Sequence, residues 1–192
     1  MVSHNSAGRF AGEGASSVRG VGRSRDVAEH ERPDVRVGES AEQRCAFYRR
    51  VCGLPTRVDP ALDRIELVAG SVGAVTMPAH IGAGVRHHMQ VRQHALGPIF
   101  THPRSGTWTF LIRPDFPDDP RLFAMLFRHQ VKVIRNGGLI ALPSPVGMPA
   151  GVRRWIEPAR DTYRPLGAVV IFSVRACVGP RSSSGQSCSR AS

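Results

Sequence analysis

The stretch Thr101-His102-Pro103-Arg104-Ser105-Gly106-Thr107-Trp108 brings a guanidinium, several hydroxyls and an indole together. Pro103 and Gly106 supply turn dihedrals, so the stretch reads as a basic turn feeding an aromatic strand. Arg104 with backbone amides can hold a phosphate, and Trp108 can stack on a base. The plainer alternative is a hairpin tip with a half-buried Trp. A second polar cluster is the Pro- and Gly-rich loop from Pro143 to Gly151, followed by Arg153, Arg154 and Trp155. Pro143 and Pro145 bracket Ser144 and stiffen the loop. Adjacent arginines on a strand face opposite sides, so at most one can line any given groove. The expected contact set for nucleic acid or a nucleotide is therefore Arg104, Trp108, Ser144, Arg153 and Arg154.

Other chemistry-bearing residues do not converge in this reading. His80, His87 and His94 recur every seven residues, a spacing that advances a helix by about 10.5 Å. Zinc needs each ligand nitrogen at about 2.0–2.1 Å, so these read as a polar helix face and no metal is expected. Metal-dependent nucleotidyl transfer needs carboxylates aimed from neighbouring strand ends. The candidate strands 72–77, 98–102 and 107–113 contain no acid, and the third candidate position offers Lys132. Asp115, Asp118 and Asp119 read as loop and helix-cap residues. Cys45, Cys52, Cys177 and Cys188 lack the close spacing of a zinc knuckle and read as free thiols. No catalytic residue and no cofactor is expected.

The elements that must position these groups follow from periodicity. Residues 41–52 carry apolar side chains at helical spacing, stopped by Gly53 and Pro55. Val72–Met77 is a β-branched run that predicts a buried strand. Residues 79–95 predict a helix, 98–102 and 107–113 a hairpin, and Pro120 starts another helix. Residues 131–135 and 139–143 predict strands joined by a tight turn at Asn136-Gly137-Gly138, and 153–157 a last strand. The order strand, helix, strand, strand, helix, strand is the split βαβ plan of ferredoxin-like and RNA-recognition-motif-like (RRM-like) domains. The expected class is α/β in the α+β sense: an antiparallel sheet with helices on one face and the other face free for a ligand or protein partner.

The chain has 192 residues and a formal charge of +11. Residues 45–172 carry sixteen basic residues against eight acids, while 1–44 carry seven of each. The basic excess thus sits in the part expected to fold, and favours anionic partners. All the basic residues but Lys132 are Arg. The Gly-, Ser- and Arg-rich segments 1–40 and 179–192 read as disordered tails around a domain at 41–178. No apolar run approaches the ~20 residues of a membrane helix, and no signal-peptide core is seen at the start. A cytoplasmic protein without membrane contact is expected.

The runs VAGSVGAVTMPA, THPRSGTWTFLIRP and VKVIRNGGLIALPSPVGMPAGVRRW resemble the N-terminal domain of bifunctional DNA primase/polymerases, across about residues 66–160. That domain belongs to the archaeo-eukaryotic primase superfamily, whose catalytic core is a modified RRM-like fold. The fullest match is Asn136–Ser144 with Gly151 and Trp155, and short actinobacterial proteins of the same name look most similar. The family's first motif is a strand ending in two aspartates one residue apart; here the strand ends Val75-Thr76-Met77-Pro78. Trp108 stands where the family has a nucleotide-contacting histidine, and Lys132 where it has a third aspartate. The resemblance therefore implies a degenerate member that binds single-stranded DNA or a nucleotide without polymerising. The alternatives are an active primase/polymerase with its acids elsewhere, and a regulatory module whose open sheet face docks a protein.

Overall fold

The computed structural model describes residues 38–145 and 153–179. The first helix, α1 (Ala41–Arg50), begins where Ser40 and Gln43 cap each other reciprocally. This satisfies two amides that the helix start would otherwise leave bare. Two short strands follow, β1 (Thr56–Asp59) and β2 (Arg64–Val68). Then come β3 (Gly73–Pro78), α2 (Ala79–Val91) and β4 (Ile99–His102). A 3-10 turn at Pro103–Ser105 ends on Gly106 in the left-handed region (φ 61°) and leads into β5 (Thr107–Ile112). Helix α3 (Pro120–Arg128) starts with Asp119 as its cap and Pro120 at its first position. Strands β6 (Lys132–Ile134), β7 (Leu139–Ala141) and β8 (Arg154–Glu157) and helix α4 (Gly167–Val178) complete the described elements.

The class is α+β, with antiparallel pairing throughout both sheets. The larger sheet has the order β6-β3-β5-β4-β8. Its first four strands are connected as β3-α2-β4-β5-α3-β6, the β-α-β-β-α-β connectivity expected from the sequence. The predicted hairpin is β4 paired with β5 across the 3-10 turn.

Three expectations need correction. Strand β7 does not return beside β6. Beyond the turn at Asn136 and Gly137, both with positive φ, it joins β2 in a second sheet of order β1-β2-β7. The Ala69 amide on the Gly138 carbonyl (2.8 Å) and the Gly137 amide on the Ala69 carbonyl (2.9 Å) tie that turn to the end of β2 instead. Strands β1 and β2 and helix α4 have no counterpart in the predicted elements. As a result the second face of the large sheet is not wholly free. The expected tails fall, but for residues 38–40 and 179, outside the described residues, as do loop positions 146–152.

Strand alternation divides the core in two. Val75, Met77, Phe110 and Ile112 face α2, α3 and α4, where they meet Val85, Met89, Leu126, Val170 and Val174. Ala74, Phe100 and Leu111 face the other way, onto Tyr48, Leu54, Ile65, Leu67, Ile140 and Leu142 from α1 and the small sheet. Fully burying one such large side chain stabilises the fold by roughly 1.5–3 kcal/mol, so both layers matter.

Tyr48 joins the parts of the second core. Its ring is fully buried, its hydroxyl donates to the Pro143 carbonyl (2.9 Å), and it accepts the Trp155 indole N–H (2.9 Å). Burial pushes the phenol's pKa far above its ordinary value, so the hydroxyl stays protonated and keeps donating. Tyr48→Phe leaves the Pro143 carbonyl and the indole N–H without this partner. The expected cost is ~1–3 kcal/mol, a fall in melting temperature of roughly 2–12 °C for a domain of this size. A thermal melt followed by circular dichroism checks it; an unchanged melting temperature would show that water replaces the hydroxyl.

Candidate functional site

The part of the second sheet face left uncovered is a groove of about 390 Å³. Its floor is a row of hydroxyls on β3 and β5: Thr76, Thr107 and Thr109, with Thr76 and Thr109 bonded oxygen to oxygen at 2.9 Å. Leu139, Ile140 and Ala141 of β7 form one wall, and Phe100 packs beneath. Lys132 enters from β6 at one edge; His102 from β4 and Arg153 from the segment before β8 enter at the other. Lys132 is opposite Thr76 in the β3–β6 register, and His102 is opposite Thr107 in the β4–β5 register.

The charge of this lining is of one sign. Among the described residues, no carboxylate lines the groove. Neither the Lys132 nor the Arg153 side chain has, among the described residues, an ion-pair or hydrogen-bond partner. Two other hollows differ: the one between α3 and α4 includes Asp119, and the one beside Gly97 includes Glu157 and Asp161. Burial, then repulsion from Arg64, lowers the pKa of Arg153. A half-buried guanidinium left without a counter-charge is costly, and an anion in the groove offsets that cost.

His102 is held by the turn that follows it. Its Nδ1 accepts the Ser105 amide (3.3 Å) and lies 2.6 Å from the Ser105 hydroxyl, which is in turn 2.8 Å from that of Thr107. An Nδ1 that accepts an amide N–H carries no proton, so the neutral ring keeps its hydrogen on Nε2. Burial, then the charges of Arg153 and Arg104, lower the His102 pKa.

The five residues expected to contact a ligand do not act together. Arg153 lines the groove. Arg104 is exposed on the 3-10 turn, close enough for its charge to act on His102. Arg154, the first residue of β8, is exposed and does not line the groove. Ser144 serves the fold, since its hydroxyl accepts the Ile65 amide (3.1 Å) and so ties the end of β7 to β2. Trp108 does not reach the groove. It is partly buried on the helix-covered face, seated against Gly82 of α2, where a Cβ would come within 2.8 Å of the Trp108 Cβ. The polar groove residues absent from the expected set are Thr76, His102, Ser105, Thr107, Thr109, Gln130 and Lys132. The signal for them was present: Trp108, Phe110 and Ile112 alternate together, so Thr107 and Thr109 must face the other way.

The acids near α3 are occupied with structure. Asp119 accepts the Arg121 amide (2.9 Å), Asp115 accepts the Ala168 amide at the start of α4 (3.1 Å), and Asp118 pairs with Arg135 (2.6 Å). His80, His87 and His94 are exposed. Among the described residues no three His, Cys, Asp or Glu side chains come together as a metal site, and no helix is long and apolar enough to cross a membrane. Cys45, Cys52 and Cys177 are free thiols, and Cys188 lies outside the described residues. No family model, curated protein or solved structure matches the chain.

Two outcomes follow from this geometry. Trp108→Ala empties space under α2, so melting temperature should fall, by up to ~3–5 kcal/mol in stability, the range for burying such a ring. Affinity of the folded variant for a single strand should stay within about twofold of the parent, measured by anisotropy; a large affinity loss without destabilisation would return Trp108 to the groove. For His102, the folded state holds a proton less readily than the unfolded chain. Its contribution to stability is complete above the ordinary value of about 6.5 and is lost as pH falls through it toward the lowered folded value. The imidazole NMR titration should therefore have its midpoint below 6.5, and Arg153→Gln should move that midpoint upward. A midpoint unmoved by the substitution would disprove the coupling.

Proposed function

We propose that the chain is a primase/polymerase-like domain without polymerising activity, which binds single-stranded nucleic acid or a nucleotide through its phosphates. The observation that carries this reading is the carboxylate-free groove, in which the half-buried Arg153 and the exposed Lys132 face each other across a floor of hydroxyls. Phosphate oxygens accept from all of these groups, and guanidinium binds them in a bidentate fork. Bases are not read by stacking here: Phe100 is 3% exposed, and Trp108 belongs to the other face. Binding of this kind is electrostatic, tolerant of sequence and sensitive to salt.

The loss of catalysis is supported from the same face. Two acids one residue apart on a strand point the same way, and the groove-facing pair on β3 is Thr76 and Pro78. The neighbouring groove position on β6 is Lys132, an ammonium where two-metal chemistry needs a carboxylate. The strand order β6-β3-β5-β4 is in keeping with the RRM-like core that the resemblance implies.

The test is anisotropy of a labelled oligothymidylate titrated with the full chain across a salt series. A linear fall of log affinity with log salt is expected, with a slope near −0.7 per phosphate neutralised. Lys132→Ala and Arg153→Ala should each weaken binding about 5- to 30-fold and make that slope shallower by about one contact. A primed template with nucleotides and magnesium or manganese should show no extension. Salt-independent binding, or affinity unchanged in both variants, would sink the reading; so would extension by the pure protein.

A further inference from the structure

The two edges of the groove are not equivalent. Lys132 and His102 lie on β6 and β4, three strand spacings apart in the order β6-β3-β5-β4, or about 14 Å between backbones. The β6 edge offers one ammonium. At the β4 edge the Arg153 guanidinium and the His102 imidazole line the groove, with the Ser105 and Thr107 hydroxyls bonded to each other beside them, and Arg104, exposed on the adjoining turn, adds a second positive charge that acts on His102. The groups facing His102 are Arg104 from the turn, Arg153 from the segment before β8, and the uncharged Thr107 opposite it on β5. Among the described residues, no carboxylate lines this end.

A charge count selects the ligand. A phosphodiester inside a strand carries one negative charge and leaves one of the two guanidiniums uncompensated. A terminal phosphate ester carries about −1.5 to −2 at neutral pH, with its second ionisation near 6, and can neutralise both. The part of the His102 shift that comes from Arg153 and Arg104 is then offset, while burial, its larger cause, stays, and the imidazolium gains a partner of opposite charge. Protonation changes the bonding at Nδ1: Nδ1–H donates to the Ser105 oxygen, and the bond that Nδ1 had accepted from the Ser105 amide is given up. The proton comes from solvent and goes to Nδ1, and no covalent bond to the ligand forms or breaks.

We infer that the Arg104–His102–Arg153 end of the groove is a subsite for a doubly charged terminal phosphate, and that His102 takes up a proton when it binds. This deepens the phosphate reading of the groove and rests on it. The Lys132 edge is left for a phosphate further along the same ligand.

The experiment compares the full chain with three probes at pH 7: decathymidylate bearing a 5′-phosphate, the same oligonucleotide with a 5′-hydroxyl, and thymidine monophosphate. The expected result is that the 5′-phosphorylated strand binds at least about fivefold tighter than the 5′-hydroxyl strand. Its binding should raise the midpoint of the His102 imidazole titration, followed by NMR. His102→Gln, which keeps the size and a hydrogen-bonding group, should narrow the gap between the two strands. Thymidine monophosphate separates the sources of the phosphate: competition at similar concentration assigns the subsite to a free nucleotide, and weak competition assigns it to a strand end. Equal affinity for the two strands overturns this inference while leaving the phosphate reading intact. So does a gap that His102→Gln leaves unchanged, or a titration midpoint that the phosphorylated strand does not move. Failure of both strands and the mononucleotide to bind would overturn the two readings together.

Discussion

One hydroxyl group sets the position of much else. The Tyr48 oxygen reaches the Pro143 carbonyl on one side and the Trp155 indole on the other. These partners stand on either side of the loop between β7 and β8, so a group on α1 fixes where that connection leaves and where it returns. Trp155 is packed further by Phe100 and by the Tyr48 ring itself, both edge-on. Arg153 stands two residues before Trp155, and its guanidinium reaches the groove because the indole is held at the sheet. A polar link inside an apolar core is costly when broken and directional when intact, which makes it suited to holding a loop in register.

The groove is what remains after the two layers have been filled. Helices claim one face of the five-stranded sheet. The small sheet and α1 claim part of the other, because Ala74, Phe100 and Leu111 are apolar there. Where the same face turns to Thr76, Thr107, Thr109 and His102, the covering layer stops. The boundary between core and groove is thus written along individual strands, by the change from apolar to hydroxyl side chains at positions of equal parity. Leu139, Ile140 and Ala141 belong to the other sheet and still line the groove, so its width depends on how the two sheets meet at the Asn136-Gly137 turn.

The central β-α-β-β-α-β run was legible because each of its signals is local. Pro120 behind Asp119, Pro103 and Gly106 around a tight turn, and the β-branched run before Pro78 all act within a few residues. Strands β1 and β2 were not legible: RVD and RIELV alternate charge with apolar groups over too short a stretch, and Glu66 is buried only because Arg57 and Arg64 pair with it. Helix α4 was hidden by its composition. Its run of Ala, Val and Ile lacks a polar face, and it becomes a helix by packing along α2 and across the sheet. The site was legible in part. Charge and turn chemistry point to Arg104 and Arg153, and of the two roles open to Trp108 the half-buried one agrees with its alternation with Phe110 and Ile112. Lys132 and His102 came together across strands, which no short window of sequence reveals.

The division of labour along β5 has a consequence for how this chain tolerates change in length. Successive residues there serve opposite layers: Trp108, Phe110 and Ile112 the helices, Thr107 and Thr109 the groove. Adding or deleting one residue in this strand exchanges the two sets at a stroke. Indole and phenyl rings then crowd the hydroxyl floor, and threonines enter the space beneath α2. Single-residue insertions are tolerated only if a bulge absorbs them before Thr107, and the left-handed Gly106 already occupies that place. Variation in length is therefore steered away from this hairpin and toward the loop between β7 and β8, whose two ends are held from outside it by Tyr48.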